Sequence, residues 1–87
     1  MNFKNIENFY WVAQLNSFNK AATQLKTSQP AVSQRLNALE KELGVKLLDR
    51  TSRSIQLTDQ GKVVFDYAAK YIQLNNQLMR SIKKKTA

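Results

Sequence analysis

Residues 17–44 read SFNKAATQLKTSQPAVSQRLNALEKELG, and the fold turns on this stretch. Ser17 can accept a backbone N–H bond and cap a short helix over Phe18–Leu25. Ala21 and Ala22 lie side by side on it, and side chains this small let another helix approach closely. Lys26, Thr27 and Ser28 form a break. Gln29 and Pro30 then open a longer helix, whose first turn tolerates proline because that N–H has no intrahelical partner. Val32, Leu36, Leu39 and Leu43 recur at i, i+4, i+7 and i+11, an apolar edge about three turns long. Gly44 follows where a helix is expected to end. The other faces carry Gln29, Ser33, Gln34, Arg35, Asn37 and Lys41. A short helix, a three-residue turn and a second helix with one apolar edge are the parts of a helix-turn-helix, here spanning about residues 18–37.

Upstream, Ile6, Phe9, Tyr10, Val12 and Ala13 fall at three- and four-residue spacing and predict a helix over residues 6–15. Downstream, Leu47–Arg50 and Ile55–Thr58 are short apolar-containing segments separated by Thr51, Ser52, Arg53 and Ser54, which predicts a two-stranded hairpin packed on the helices. Thr58 or Asp59 caps a final helix from about Gln60 toward Lys83. The chain divides at that cap into residues 1–58, the helix-turn-helix body, and residues 59–87, a long helix.

Eighty-seven residues make one small domain. The chain has no cysteine and no histidine, which removes disulfides, zinc fingers, thiol nucleophiles, haem ligation and imidazole bases together. No enzyme, metal or cofactor is implied. No apolar run is long enough to span a bilayer, and Met1–Lys4 is no signal peptide, so a soluble cytoplasmic chain is expected. Fourteen Lys and Arg against six Asp and Glu give +8 at pH 7, a balance that points to a polyanionic partner.

The chemistry of the second helix fits that partner. A major groove of B-DNA admits one α-helix, and amides, hydroxyls and guanidinium groups near its N-terminal half read the base edges. Gln29, Ser33, Gln34 and Arg35 supply such groups, and Pro30 and Ala31 could touch a thymine methyl. The helix start, with the hydroxyls of Thr27 and Ser28, suits a phosphate. Arg50 and Arg53 sit on the hairpin and could neutralise backbone phosphate or enter a narrow minor groove, although Arg50 could instead pair with Asp49 or Glu40. The competing interpretation of this polar face is the solvated side of an ordinary bundle.

On the last helix Val64, Ala68, Tyr71, Asn75, Leu78 and Ile82 repeat at four-three-four-three-four spacing, the seam of a two-helix coil, while Phe65, Ile72 and Met79 make a neighbouring stripe. Two stripes imply two partners: the first helix, whose Phe9 and Trp11 need cover, and the same helix of a second chain. Asn75 would set the register. Lys83–Lys85 suit the C-terminal dipole.

Together these residues resemble the DNA-binding domain of LysR-type bacterial transcriptional regulators. The resemblance runs through Phe9, Val12, Ala13, Ser17-Phe18, Ala21-Ala22, Leu25, Ser28-Gln29-Pro30-Ala31-Val32-Ser33, Leu39-Glu40, Leu43-Gly44, Leu47, Arg50, Arg53, Leu57-Thr58 and Gly61. It covers residues 3 to 65. It implies a mainly α winged helix-turn-helix, three helices plus a two-stranded wing, followed by a long dimerisation linker helix. It also implies transcription regulation through double-stranded DNA, a pseudo-palindromic operator bound by a homodimer, and a homodimer or tetramer in a full-length protein. Gln29, Pro30, Ser33 and Gln34 resemble base-facing residues, Arg35 and Asn37 groove or phosphate contacts, and Arg53 the wing contact. Asn16 stands where glycine is usual, Asn19 where threonine is common and Leu48 where phenylalanine is common. Family members continue into a large domain that senses a small molecule, so this sequence is expected to be an excised DNA-binding domain or a truncated relative. An interaction module whose basicity serves solubility, or a non-specific nucleoid or RNA-binding protein, are the alternatives that salt dependence and competition with random duplex separate.

Overall fold

The computed structural model describes residues 1–51 and 54–86, with side chains as far as Lys83. Its elements are α1 (Phe3–Leu15), α2 (Phe18–Gln24), α3 (Gln29–Leu43), β1 (Leu48–Asp49), β2 (Gln56–Leu57) and α4 (Asp59–Thr86). β1 and β2 pair antiparallel, Leu48 with Leu57 and Asp49 with Gln56. The fold is the expected one: three helices, a hairpin wing and a long last helix.

α1 begins three residues before the apolar stripe does, because Asn2 Oδ1 accepts the N–H of Lys4 at 2.8 Å and caps it. Ser17 and Ser28 cap α2 and α3, accepting from Lys20 N at 3.1 Å and Ala31 N at 3.3 Å. All three helices end alike. The N–H groups of Ser17, Thr27 and Val45 bond back to the carbonyls of Val12, Ala22 and Glu40. Each such ending puts one residue in the left-handed region: Asn16 (φ 54°), Lys26 (φ 56°) and Gly44 (φ 71°). The sequence signals Asn16 and Gly44. Nothing in it signals Lys26, which ends α2 one residue earlier than the apolar pattern does, with Leu25 outside the helix.

Phe9, Val12, Ala21, Ala22, Val32, Leu36, Leu39 and Leu47 form the core where α1, α2 and α3 cross, and the paired alanines are buried in the close helix crossing that their size permits. Leu43, expected on the same edge, is covered only in part: it keeps 36% of its surface exposed in an apolar pocket that it shares with Met1, Ile6, Val64, Tyr67, Ala68 and Tyr71. α4 joins this core through Ala68, Val64 and Phe65. Phe65 stacks on Tyr10 with ring centres 5.1 Å apart, and Tyr10 meets Trp11 edge-on at 5.2 Å. Tyr10 is thus the aromatic that stacks on α4, while Phe9 is fully buried in the same cluster as Ala68.

The wing is shorter than its sequence segments. The N–H of Leu47 goes to a side chain, Glu40 Oε2 at 2.8 Å, instead of a strand partner. At the other end Thr58 keeps one bond across the hairpin, its N–H to Leu47 O at 3.1 Å, while its Oγ1 caps α4, accepting from Gly61 N at 2.9 Å and donating to Lys46 O at 2.6 Å. Gly61, which reads as punctuation, sits inside α4, where a Cβ would collide with the Leu47 carbonyl. Its role is close approach of helix to wing.

Candidate nucleic-acid interface

α3 lies with Val32, Leu36, Leu39 and Glu40 buried, so its opposite side is presented outward. Gln29, Pro30, Gln34 and Asn37 are exposed there, with Ala31, Ser33 and Arg35 half-buried. Gln29 Nε2 donates to Ser33 Oγ at 3.2 Å, which joins two of the expected base-facing residues along one row of the helix.

The start of α3 is poorer in free donors than its sequence promises. Pro30 has no N–H, and those of Ala31 and Val32 are both taken by Ser28, through its Oγ and its carbonyl. The Thr27 N–H closes the end of α2 on Ala22. Part of the phosphate-binding capacity expected of this helix end is thus spent on its own cap. What remains for an anion are the hydroxyls of Thr27 and Ser28 and the N–H groups of Ser28 and Gln29, which no described residue accepts.

Arg35 and Asn37 do not share a flank. At about 100° per residue they point roughly 160° apart around the helix. Arg35 lines a polar cleft with Lys4, Glu7, Asn8, Lys26 and Thr27, on the side of α1. Asn8 is buried in that wall; its Nδ2 donates to Lys4 O at 2.6 Å and its Oδ1 has no partner among the described residues. Asn37 faces the wing, beside Arg50.

Arg50 stays close to the body. Its Nη2 lies 4.0 Å from Glu40 Oε1 and 3.5 Å from Asn37 Oδ1, and its guanidinium sits over the Phe18 ring at 5.1 Å. Of the two partners the sequence offered, Glu40 is the one it meets. Asp49 is occupied instead with the wing turn: its Oδ1 accepts from Thr51 N at 2.9 Å and Thr51 Oγ1 at 2.6 Å. The Thr51 hydroxyl first, then its N–H, hold the Asp49 carboxyl below the usual aspartate range. Ser52 and Arg53 lie outside the described residues, so the wing-tip contact expected of Arg53 keeps its sequence basis alone.

The sequence offered Glu40 as a partner for Arg50 but not as a buried acceptor for the wing. Its carboxylate is buried, accepts from Leu47 N at 2.8 Å and Leu48 N at 3.4 Å, and has Lys46 Nζ at 3.9 Å as well as Arg50. It ties the recognition face to the wing. The available signal was its position four residues after Leu36, on the core side of the helix, where an isolated carboxylate has to find donors.

On α4 the expected seam divides. Ala68 is 1% exposed within this single chain and Val64 is packed on the core, so neither offers a partner much surface. Ala68 leaves the expected set for that reason: its methyl is already covered by α1 and its neighbours. The outward apolar residues are Tyr71, Leu78 and Ile82 of that seam, together with Val63, Tyr67, Leu74 and Met79.

The sequence pattern of the bacterial regulatory helix-turn-helix proteins of the lysR family matches residues 3–62. The chain belongs to that family. Among solved structures, this lysR-family chain is similar to the BenM DNA-binding domain crystallised with catB site 1 DNA, at 33% identity and a TM-score of 0.94, over 100% of this chain and 98% of that one. It is also similar to the CbnR DNA-binding domain in complex with DNA, at 31% identity and a TM-score of 0.86, over 100% of both chains. The probable cat1 operon transcriptional activator of Acinetobacter lwoffii is 36% identical over 84 residues, 97% of this chain and 28% of that protein. BenM of Acinetobacter baylyi is 34% identical over the same share of each. The lysR-family chain thus spans less than a third of the length of these curated relatives. Its family is one of transcription regulators, not of enzymes. Among the described residues no helix is long and apolar enough to cross a membrane.

Proposed function

We propose that this chain is the reading head of a homodimeric transcription regulator that binds a pseudo-palindromic operator in double-stranded DNA. One observation carries the proposal: the polar side of α3, with Gln29, Pro30, Gln34 and Asn37, stays exposed on a chain of net charge +8. A helix so presented can enter a major groove, and amides there discriminate bases by about 1–3 kcal/mol per bidentate pair. Arg35 on one flank, and Lys46 with the sequence-assigned Arg53 on the other, would bracket the groove with positive charge. The complexes of BenM and CbnR with DNA support this reading by their likeness to the present fold.

The second copy is assigned to α4. The chain exposes 6219 Å², against about 5,200 Å² for a compact monomer of this mass. The excess, near 1,000 Å², is what one partner contributes to an interface of ordinary size. Tyr67, Tyr71, Leu74 and Leu78 repeat at four-three-four spacing along the exposed side, so the seam keeps Tyr71 and Leu78 of the expected set while Tyr67 and Leu74 take the places of their neighbours Ala68 and Asn75, and Asn75 falls at its margin. Two such chains would set their recognition helices about one duplex turn apart. Residues 1–58 then read DNA and residues 59–87 hold the dimer, although the first turns of α4 also pack on the body. A tetramer, and any response to a small molecule, belong to a longer protein in the bacterial cytoplasm.

The test is selection of duplexes from a randomised pool, followed by competition with random duplex and a salt titration. Binding through six to ten phosphates should weaken by several orders of magnitude between low and moderate salt. Gln29→Ala should alter the ranking of selected sequences. A chain that binds all duplexes alike, or none, overturns the proposal.

A further inference from the structure

Asn37 and Arg50 meet where α3 faces the wing, and their chemistry fixes which way the amide points. Arginine carries only donors. With Arg50 Nη2 3.5 Å from Asn37 Oδ1, the amide oxygen is the atom engaged. The two N–H groups of Asn37 are then left for something outside the protein. Arg50 is itself held from two further directions, by the Glu40 carboxylate at 4.0 Å and by the face of Phe18 at 5.1 Å. Glu40 in turn is fixed by Leu47 N and Leu48 N. A residue so tied is preorganised, and its guanidinium is turned toward the body.

We propose that Arg50 is a positioning residue for DNA recognition: it acts through Asn37, orienting that amide so that its NH2 is offered to an acceptor on the duplex. The inference rests on the DNA-binding reading above and sharpens it, because it makes residue 37 a dedicated donor. The acceptor is an oxygen or ring nitrogen, either a purine edge in the groove (N7 or O6) or a phosphate oxygen. The Gln29–Ser33 bond has a parallel effect four and eight residues earlier: Ser33 Oγ accepts from Gln29, so the Ser33 hydroxyl hydrogen is available for donation. Along this row the helix offers donors at 33 and 37. Glu40 and Asn37 are both met by Nη2, so a direct phosphate contact by Arg50 would fall to the other N–H groups of the guanidinium.

The experiment measures binding of the 87-residue chain to a duplex that the wild type has selected from a random pool. Arg50→Met, Asn37→Ala and the double variant are compared over a range of salt. Arg50→Met keeps length and apolar packing and removes the donors. Each single change should weaken binding about three- to tenfold, as for one hydrogen bond. The double variant should bind no worse than the weaker single, and Arg50→Met should leave the salt slope unchanged. A loss confined to some sequences assigns the acceptor to a base edge, and a uniform loss assigns it to phosphate. Losses that multiply in the double variant, or a slope reduced by about one in Arg50→Met, overturn the inference and make Arg50 a direct phosphate contact. Should Arg50→Met fold poorly, ¹⁵N spectra of the wild type decide: on titration with duplex the Asn37 Nδ2 pair should shift while the Arg50 guanidinium signals stay, and the opposite pattern refutes the idea. If the wild type selects no duplex at all, it is the DNA-binding reading that fails.

Discussion

Replacing Gly61 by alanine sets two effects of opposite sign against each other. Position 61 lies in the first turn of α4, and alanine is the better helix former there by about 1 kcal/mol. On propensity alone the change should stabilise. A Cβ at this position, however, would fall inside the Leu47 carbonyl oxygen, 3.0 Å from the carbonyl carbon and 3.2 Å from Thr58 Oγ1. None of these atoms can give way freely. Leu47 O accepts from Thr58 N at 3.1 Å, Thr58 Oγ1 caps α4 and donates to Lys46 O, and Leu47 N is held by buried Glu40. Room for the methyl requires moving the first strand by on the order of 1 Å, an overpacking cost of about 1–3 kcal/mol, with about 1 kcal/mol more for a weakened cap. Net of the propensity gain, a loss of about 2 kcal/mol is expected, or a Tm lower by roughly 8–16 °C for a domain of this size. Thermal melts by circular dichroism, at one protein concentration so that dimerisation does not contribute, read it directly. A Tm equal to or above that of the wild type would show that α4 does not press on the Leu47 carbonyl, and the account of how wing and helix are joined would fall with it.

Other changes separate the remaining claims. Glu40→Ala strands the Leu47 and Leu48 N–H groups and should cost about 2–4 kcal/mol in urea unfolding, whereas Glu40→Gln, which keeps an acceptor, should cost markedly less; equal losses would point to packing instead. Lys26→Gly relieves the left-handed residue at the end of α2 and should raise stability by up to about 1 kcal/mol; a loss would mean the lysine side chain holds that turn. Leu74→Asp should give monomers in sedimentation equilibrium, and an intact dimer would remove the exposed side of α4 as the interface. For Asp49 the sign is fixed by the lowered carboxyl: its hydrogen bonds to Thr51 contribute above the ordinary aspartate range and are lost as pH falls through the folded value. Thr51→Val, which removes the larger cause, should move the Asp49 midpoint in a ¹³C carboxyl titration upward; an unchanged midpoint would contradict that assignment.

Local patterns carried most of the fold because each rests on neighbours in sequence. Ser17 and Ser28 announce helix starts by the hydrogen bonds their own hydroxyls make, and Val32, Leu36 and Leu39 announce a buried side by period. The outward side of α3 followed as the complement of that edge, so Gln29, Pro30, Gln34 and Asn37 were legible before any coordinates. Where a local pattern fell short, a partner distant in sequence was responsible. Leu43 fits the apolar edge, but Ile6 and the first turns of α4 cover it only in part. Ala68 fits a seam between chains, but the core of this chain buries it first, and Tyr67 and Leu74 are exposed beside Tyr71 and Leu78.

The sequence by itself determined a basic helix-turn-helix with a wing and a long last helix, since capping, periodicity and charge depend on residues within a few positions of one another. Tertiary structure alone decided which stripe of α4 is spent on the body, that Arg50 meets Glu40 and not Asp49, and that Glu40 binds the wing to α3. Those outcomes are set by hydrogen bonds and burial between elements whose mutual distance and rotation no periodicity along the chain encodes.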